Sequence, residues 1–274
     1  MMSWESLVAT FHSDAPLERR SEIACEMALQ FPQQTWPLLT EAAFTEPLDL
    51  TLPAIRLYPS RKAGALLQRL FLERGGQSSE QMQILKALAQ IPAVSALLEI
   101  AEDPYTSPPM QDHCSSLLLQ FPTPDTQRFF TKELSSHRLP RRYRAIQAVG
   151  EWGMEQAVVP LSRMLNKQVQ TPLFLPIVSA LGMIPTRSSI RELRRFLLEQ
   201  TPDVQLQCAE VLAQIPRLEL GEPLEDCLSF LEGQDFSQME QYLAYHQEIV
   251  IQKRDSELQS MRDAWEEQLF EGLG

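Results

Sequence analysis

The chain is poor in the residues that build most reaction centres. It has ten glycines in 274 residues, and none falls in a phosphate-cradling GxxxxGK[ST] loop, a dinucleotide-binding GxGxxG turn or a GxSxG nucleophile turn. Its four cysteines, Cys25, Cys114, Cys208 and Cys227, lie far apart without a CxxC pair, which argues against both a zinc site and a disulfide framework. The four histidines, His12, His113, His137 and His246, are equally scattered, and none has a second ligand three or four residues on, as a helical metal site requires. Neither a metal nor a cofactor is expected. Long hydrophobic runs are also missing, since nothing approaches the roughly 18 apolar residues that span a bilayer. The opening MMSWESLVATF carries an acid, lacks a basic stretch and sets Trp4, Leu7, Val8 and Phe11 at helical spacing. It reads as a structural helix rather than a signal peptide, and a cytoplasmic location follows as the default. Carboxylates are plentiful, but no pattern pairs them as acid and base, so an enzyme is the minority expectation.

What the sequence has instead is a period. The segments ALQFP ending at Pro32, IRLYP at Pro59, LAQIP at Pro92, LLQFP at Pro122, VGEWG at Gly153, LGMIP at Pro185 and LAQIP at Pro216 recur at intervals of 27, 33, 30, 31, 32 and 31. Proline disfavours helical geometry in the residue before it and is tolerated in the first turn of the next helix; glycine closes a helix at positive φ. Each anchor is therefore expected to be a turn between two antiparallel helices. Eight residues before the anchors stand Ala24, Thr51, Ile84, Cys114, Ala145, Ile177 and Cys208, a small or apolar column that also places two thiols in the core. Eight and twelve residues after the anchors, from the second unit on, come Leu67 and Phe71, Ile100 and Pro104, Phe130 and Leu134, Leu161 and Leu165, Leu193 and Leu197, then Leu224 and Leu228. At 100° per residue each such pair shares one helix face, and only Pro104 departs from the apolar rule.

AIQAVGEWGMEQAVVPLSRML, IVSALGMIPTRSSIRELRRFL and KALAQIPAVSALLEIAED carry this pattern most clearly. They resemble HEAT repeats, specifically the short HEAT-like repeats of the phycobilin lyase family, over roughly residues 15 to 232. The resemblance implies an all-α, right-handed α-solenoid of about seven helix pairs, preceded by an N-terminal helix and followed by a long C-terminal one. In proteins of this kind the second helices line the concave binding surface. No His-Glu pairs such as iron-binding HEAT hydroxylases use are present.

Charge follows the repeat. Residues 1 to 127 carry 8 basic and 15 acidic groups, residues 128 to 195 carry 12 and 4, and residues 196 to 274 carry 4 and 17, which gives −7, +8 and −13 within the net −12. Ten residues after the anchors the column reads Ala42, Arg69, Glu102, Lys132, Arg163, Arg195 and Asp226, so three successive units place a cation at one position. That position points away from the buried face. Arg128, Lys167 and Arg191 lie a helical turn away, and the six cations together form a candidate ladder on the second helices of units 4 to 6, suited to an acidic partner surface. Arg138, Arg141, Arg142 and Arg144 make a second basic cluster, placed on the other helix layer or its loop.

After Gly233 the repeat stops. Ser237 and Glu240 form a capping-box pattern, no proline or glycine follows until Gly272, and a helix of about 33 residues is expected. The division is thus residues 1–233 as the repeat array and 234–274 as an acidic helical extension. In the extension Tyr242, Leu243, Ile249 and Val250 suit packing on the last repeat as a cap. Leu258, Met261, Trp265 and Leu269 form a second apolar group, with Trp265 and Leu269 as candidate anchors for a second partner or for self-association.

These features describe a non-enzymatic interaction scaffold, adaptor or assembly factor. The resemblance implies an alternative, a bilin lyase subunit or a chaperone that handles phycobiliproteins. A nucleic-acid-binding HEAT solenoid is a third reading, disfavoured by overall acidity and by the lack of aromatic residues interleaved with the ladder.

Overall fold

The computed structural model describes residues 2–74, 78–91, 93–168 and 171–271, with the backbone alone at 60, 168 and 265–271. Sixteen α-helices and no strand occur among the described residues. A short α1 (Trp4–Phe11) precedes seven pairs: α2 and α3 (Leu17–Gln30, Pro32–Thr45), α4 and α5 (Leu48–Ile55, Ser60–Glu73), α6 and α7 (Ser78–Gln90, Val94–Glu102), and α8 and α9 (Pro108–Leu118, Pro124–Glu133). The series continues with α10 and α11 (Leu139–Glu151, Val158–Gln168), α12 and α13 (Phe174–Met183, Arg187–Leu198), and α14 and α15 (Pro202–Leu212, Gly221–Leu228), and ends with α16 (Gly233–Glu271). This is the helix-pair array expected from the sequence.

The chain divides into two compact units, Met1–Phe129 and Phe130–Gly274. In the first, α2 packs on α4, α4 on α6 and α6 on α8, while α3 packs on α5 and α5 on α7. In the second, α10, α12, α14 and α16 form one layer in that order, and α11, α13 and α15 form the other. First helices stack on first helices and second on second, as in an α-solenoid.

The column eight residues before the anchors forms a buried spine of first helices in each unit: Ala24, Thr51, Ile84 and Cys114 in the first, and Ala145, Ile177 and Cys208 in the second, are all fully buried. The second-helix face is equally plain. Leu67, Phe71, Ile100, Phe130, Leu134, Leu161, Leu165, Leu193, Leu197 and Leu224 are buried, and Leu228 is half-buried near the end of the array. The first pair departs from this register. α3 starts on its anchor proline, whereas α5 starts one residue after Pro59 and α9 two residues after Pro122. Its buried face therefore falls on Thr35, Leu39, Ala42 and Ala43, which takes Ala42 out of the outward-facing column.

Gly153 shows why one anchor is glycine. Its φ is +60°, and α10 ends in a Schellman arrangement in which Met154 N donates to Val149 O at 2.9 Å and Gly153 N to Gly150 O at 3.0 Å. A Cβ there would also lie 2.9 Å from Pro185 Cδ, the anchor of the next pair. Side chains tie other neighbouring turns together. Tyr58 Oη donates to Pro32 O at 2.9 Å, and Arg217 Nη1 donates to Gly182 O and Ile184 O at 2.6 Å each. Those two carbonyls close α12, so the guanidinium caps the negative end of that helix.

α16 is longer than expected and starts earlier. Ser237 is not its cap: the helix begins at Gly233, which has φ +58°, and Ser237 Oγ lies inside it and donates back to Gly233 O at 3.3 Å. Its first half packs on α14 and α15 through Met239 and His246, with Phe236, Tyr242, Leu243, Ile249 and Val250 half-buried beside them. From Ile251 to Ala264 every side chain is exposed.

Candidate partner-binding surface

The exposed faces of α11 and α13 carry four of the six candidate cations. Arg163 and Lys167 on α11 and Arg191 and Arg195 on α13 are all exposed, and these helices pack side by side. Lys132, on the part of α9 that belongs to the second unit, is exposed as well. Arg128 belongs to the first unit, where it is exposed and paired with Asp125 one helical turn before it. Trp265 and Leu269 have side chains outside the described residues.

The candidates differ in what already neutralises them. Arg195 donates to Glu192 at 2.6 Å. The same carboxylate accepts the hydroxyl of Ser162 at 2.7 Å, so an acid tied to both helices lies within the row of cations. By contrast Arg163, Lys167 and Arg191 have no carboxylate within ion-pair distance among the described residues. A cation that keeps its water and lacks a partner is the kind that releases counterions to an incoming anionic surface.

Position nine after the anchor, which the sequence reading passed over, links neighbouring second helices. Gln68 donates to Glu99, Ser162 to Glu192 at 2.7 Å, and Arg194 to Glu222 at 2.8 Å. Arg194 Nε also reaches Asp226 at 2.5 Å, so this side chain clamps α13 to α15 rather than serving the open face. Recurrence of a donor in that column, three repeat lengths from Gln68 to Ser162 and one from Ser162 to Arg194, is the signal that was present.

Beside Arg191 lies an open groove of about 490 Å³ at the head of α13, lined by Thr186, Arg187, Arg191, Arg194 and Arg217 together with Glu219 and Glu222. Thr186 caps the helix by accepting Ser189 N–H at 3.2 Å, and the first turn holds no acid. The groove is thus edged by the positive end of a helix and by four guanidinium groups. Two of these are committed elsewhere. Arg194 is held by its carboxylates, and Arg217 is mostly buried against the α12 carbonyls, where burial pushes its guanidinium down from its ordinary value against the opposing pull of Glu219. Arg187 and Arg191 remain directed at solvent.

The second basic cluster is structural in part. Arg141 pairs with Glu133 at 3.2 Å, and both side chains are about nine-tenths buried. That ties the head of α10 to the tail of α9. Loss of one partner from so buried a pair costs on the order of 3–5 kcal/mol.

The cysteines offer no chemistry at this surface. Cys114, Cys208 and Cys227 are buried; burial pushes the Cys208 thiol up to about 12 and the Cys227 thiol up to about 11. Such thiols are poor nucleophiles. No group of three or more His, Cys, Asp or Glu side chains suited to a metal occurs among the described residues. No described helix is long and apolar enough to cross a membrane.

No protein-family model matches the chain, and no curated protein does. Among solved structures, human deoxyhypusine hydroxylase in complex with glycerol is 17% identical, with 90% of this chain and 96% of that one covered and a TM-score of 0.34. A chain from a computational design of self-assembling cyclic homooligomers is 14% identical, with 92% of each chain covered and a TM-score of 0.14. Likenesses this distant carry no activity across.

Proposed function

We propose that the chain is a non-enzymatic scaffold that holds an acidic protein surface against the second helices of pairs 4 to 6. The observation that carries this reading is the set of exposed cations without a carboxylate partner among the described residues, Arg163, Lys167 and Arg191, on adjacent helices of an otherwise acidic protein. Lys132 and Arg195, in the same unit, extend this surface, and the groove at Arg187 and Arg191 suits one carboxylate side chain of the partner; Arg128, in the other unit, is paired with Asp125 and is left out of it. Recognition is electrostatic steering followed by fit to the helix ridges, so binding weakens as salt rises.

Affinity purification with mass spectrometry, run on the natural chain and on a K132E/R163E/R195E variant, is the test. The variant is expected to lose its specific partners while keeping its fold, read from an unchanged helical circular dichroism spectrum, because all three side chains are exposed and loss of the solvent-facing Arg195–Glu192 pair costs no more than about 1 kcal/mol. Retention of every partner removes the proposal. The likeness of the repeat segments to phycobilin lyase repeats supports a second reading, a factor that handles phycobiliproteins. Co-purified pigment, seen by its visible absorption, separates that reading from the first.

A further inference from the structure

The second half of α16 carries an apolar seam that no other described residue covers. Between Ile251 and Ala264 all side chains are exposed, and Ile251, Leu258 and Met261 are 59%, 54% and 70% exposed. Their spacing of seven and three residues places Ile251 and Leu258 at the a positions and Met261 at a d position of a short heptad pattern. Arg254 takes the d position between them, and Trp265 the next a.

The charges beside this seam select its occupant. Asp255 and Arg262 stand at the two flanking e positions, opposite in sign. In an antiparallel pair of identical helices a residues face d residues and e residues face e residues. Leu258 then meets Met261 of the second copy, and Asp255 meets Arg262 of the second copy on both sides of the dyad. Parallel pairing would place Arg254 on Arg254 in the middle of the seam. It would also bring both helical bodies to the same end. The antiparallel arrangement sets them at opposite ends of the paired segment.

We propose that α16 pairs antiparallel with α16 of a second copy of this chain, through Leu258 and Met261 at the centre and Asp255 with Arg262 at the flanks. The contact is isologous, so it closes at two chains. It is also small, and a dissociation constant on the order of 10–100 μM is expected for an interface below the standard size.

Sedimentation equilibrium on the full chain from about 1 to 500 μM, a range that brackets the expected constant, tests this. The mass is expected to rise from 31.3 kDa toward twice that value. Leu258→Glu should hold the chain at the monomer mass throughout. Asp255→Arg alone and Arg262→Asp alone should each weaken association at least about fivefold, as like charges replace a flanking pair, and the double exchange D255R/R262D should restore it. None of these changes should move the melting temperature, because the altered side chains are exposed. A monomer at every concentration overturns the proposal, as does a dimer that survives Leu258→Glu or a double exchange no better than the single ones. The K132E/R163E/R195E variant should dimerise normally; its failure would mean that the acidic end of the helix sits on the basic face instead.

Discussion

Thr51 stands in the fully buried spine of the first helices, yet its Oγ1 has no hydrogen-bond partner. A buried hydroxyl without a partner costs on the order of 1–3 kcal/mol, whereas an apolar group of the same shape carries no such penalty. Thr51→Val is therefore expected to stabilise the chain by about 1 kcal/mol, read as a higher urea midpoint with an unchanged slope. A lower midpoint would show that the hydroxyl is satisfied in solution. The other six members of the spine are Ala, Ile or Cys, and Thr51 is the one whose chemistry disagrees with its place. Gly153 is the converse case. Its positive φ and the proline against it leave no room for a side chain, so the lack of a functional group there is a condition of stacking two turns.

His246 couples one such element to the array. Its ring is buried, and Nε2 bonds the Arg217 carbonyl at 3.0 Å, while the Arg217 side chain holds the end of α12. Burial lowers the imidazole from its ordinary value of 6.5, despite the opposing backbone hydrogen bonds to Arg217 and Ile215. A base that is less readily protonated when folded stabilises the fold fully above the unfolded value and loses that contribution as pH falls from 6.5 toward the folded one. Glu222 and Glu225 line the same cleft as His246. Amide exchange across residues 233–250 should therefore quicken between pH 7 and pH 5.5, after correction for intrinsic rates. His246→Leu should flatten that dependence; equal pH sensitivity in the variant would place its origin elsewhere. The helix pairs themselves are legible in the sequence, because prolines mark the turns and the −8 and +8 columns mark the buried faces. The start of α16 is not. Ser237 and Glu240 have the right spacing for a cap, but Gly233 turns the chain four residues earlier and Ser237 is drawn into the helix. The contacts of position nine are hidden for another reason: their partners are set by the rotation between adjacent helices, which spacing within one helix does not contain.

At the scale of the whole molecule, a stack of helix pairs has a problem at its last pair, whose outward apolar face has no successor. The first half of α16 solves it by covering α14 and α15 with Met239 and His246 and a row of half-buried apolar side chains, while the side chains from Ile251 to Ala264 are exposed and take no part in that packing. The two halves should therefore separate in a truncation series. A chain ending at Val250 is expected to keep the full stability of the parent within about 0.5 kcal/mol, since every described side chain it loses is exposed. A chain ending at Leu231 uncovers the last pair. At roughly 1.5–3 kcal/mol for each large apolar side chain fully buried, it should lose at least about 3 kcal/mol in urea titration of the second unit. Equal stability of the two truncated chains would mean that the seven pairs need no cap. A large loss on removing residues 251–274 alone would mean that the exposed half is held by contacts the fold does not contain. If the expected order holds, the chain ending at Val250 also becomes the stable monomeric parent in which the basic face can be measured without any contribution from the helix that follows it.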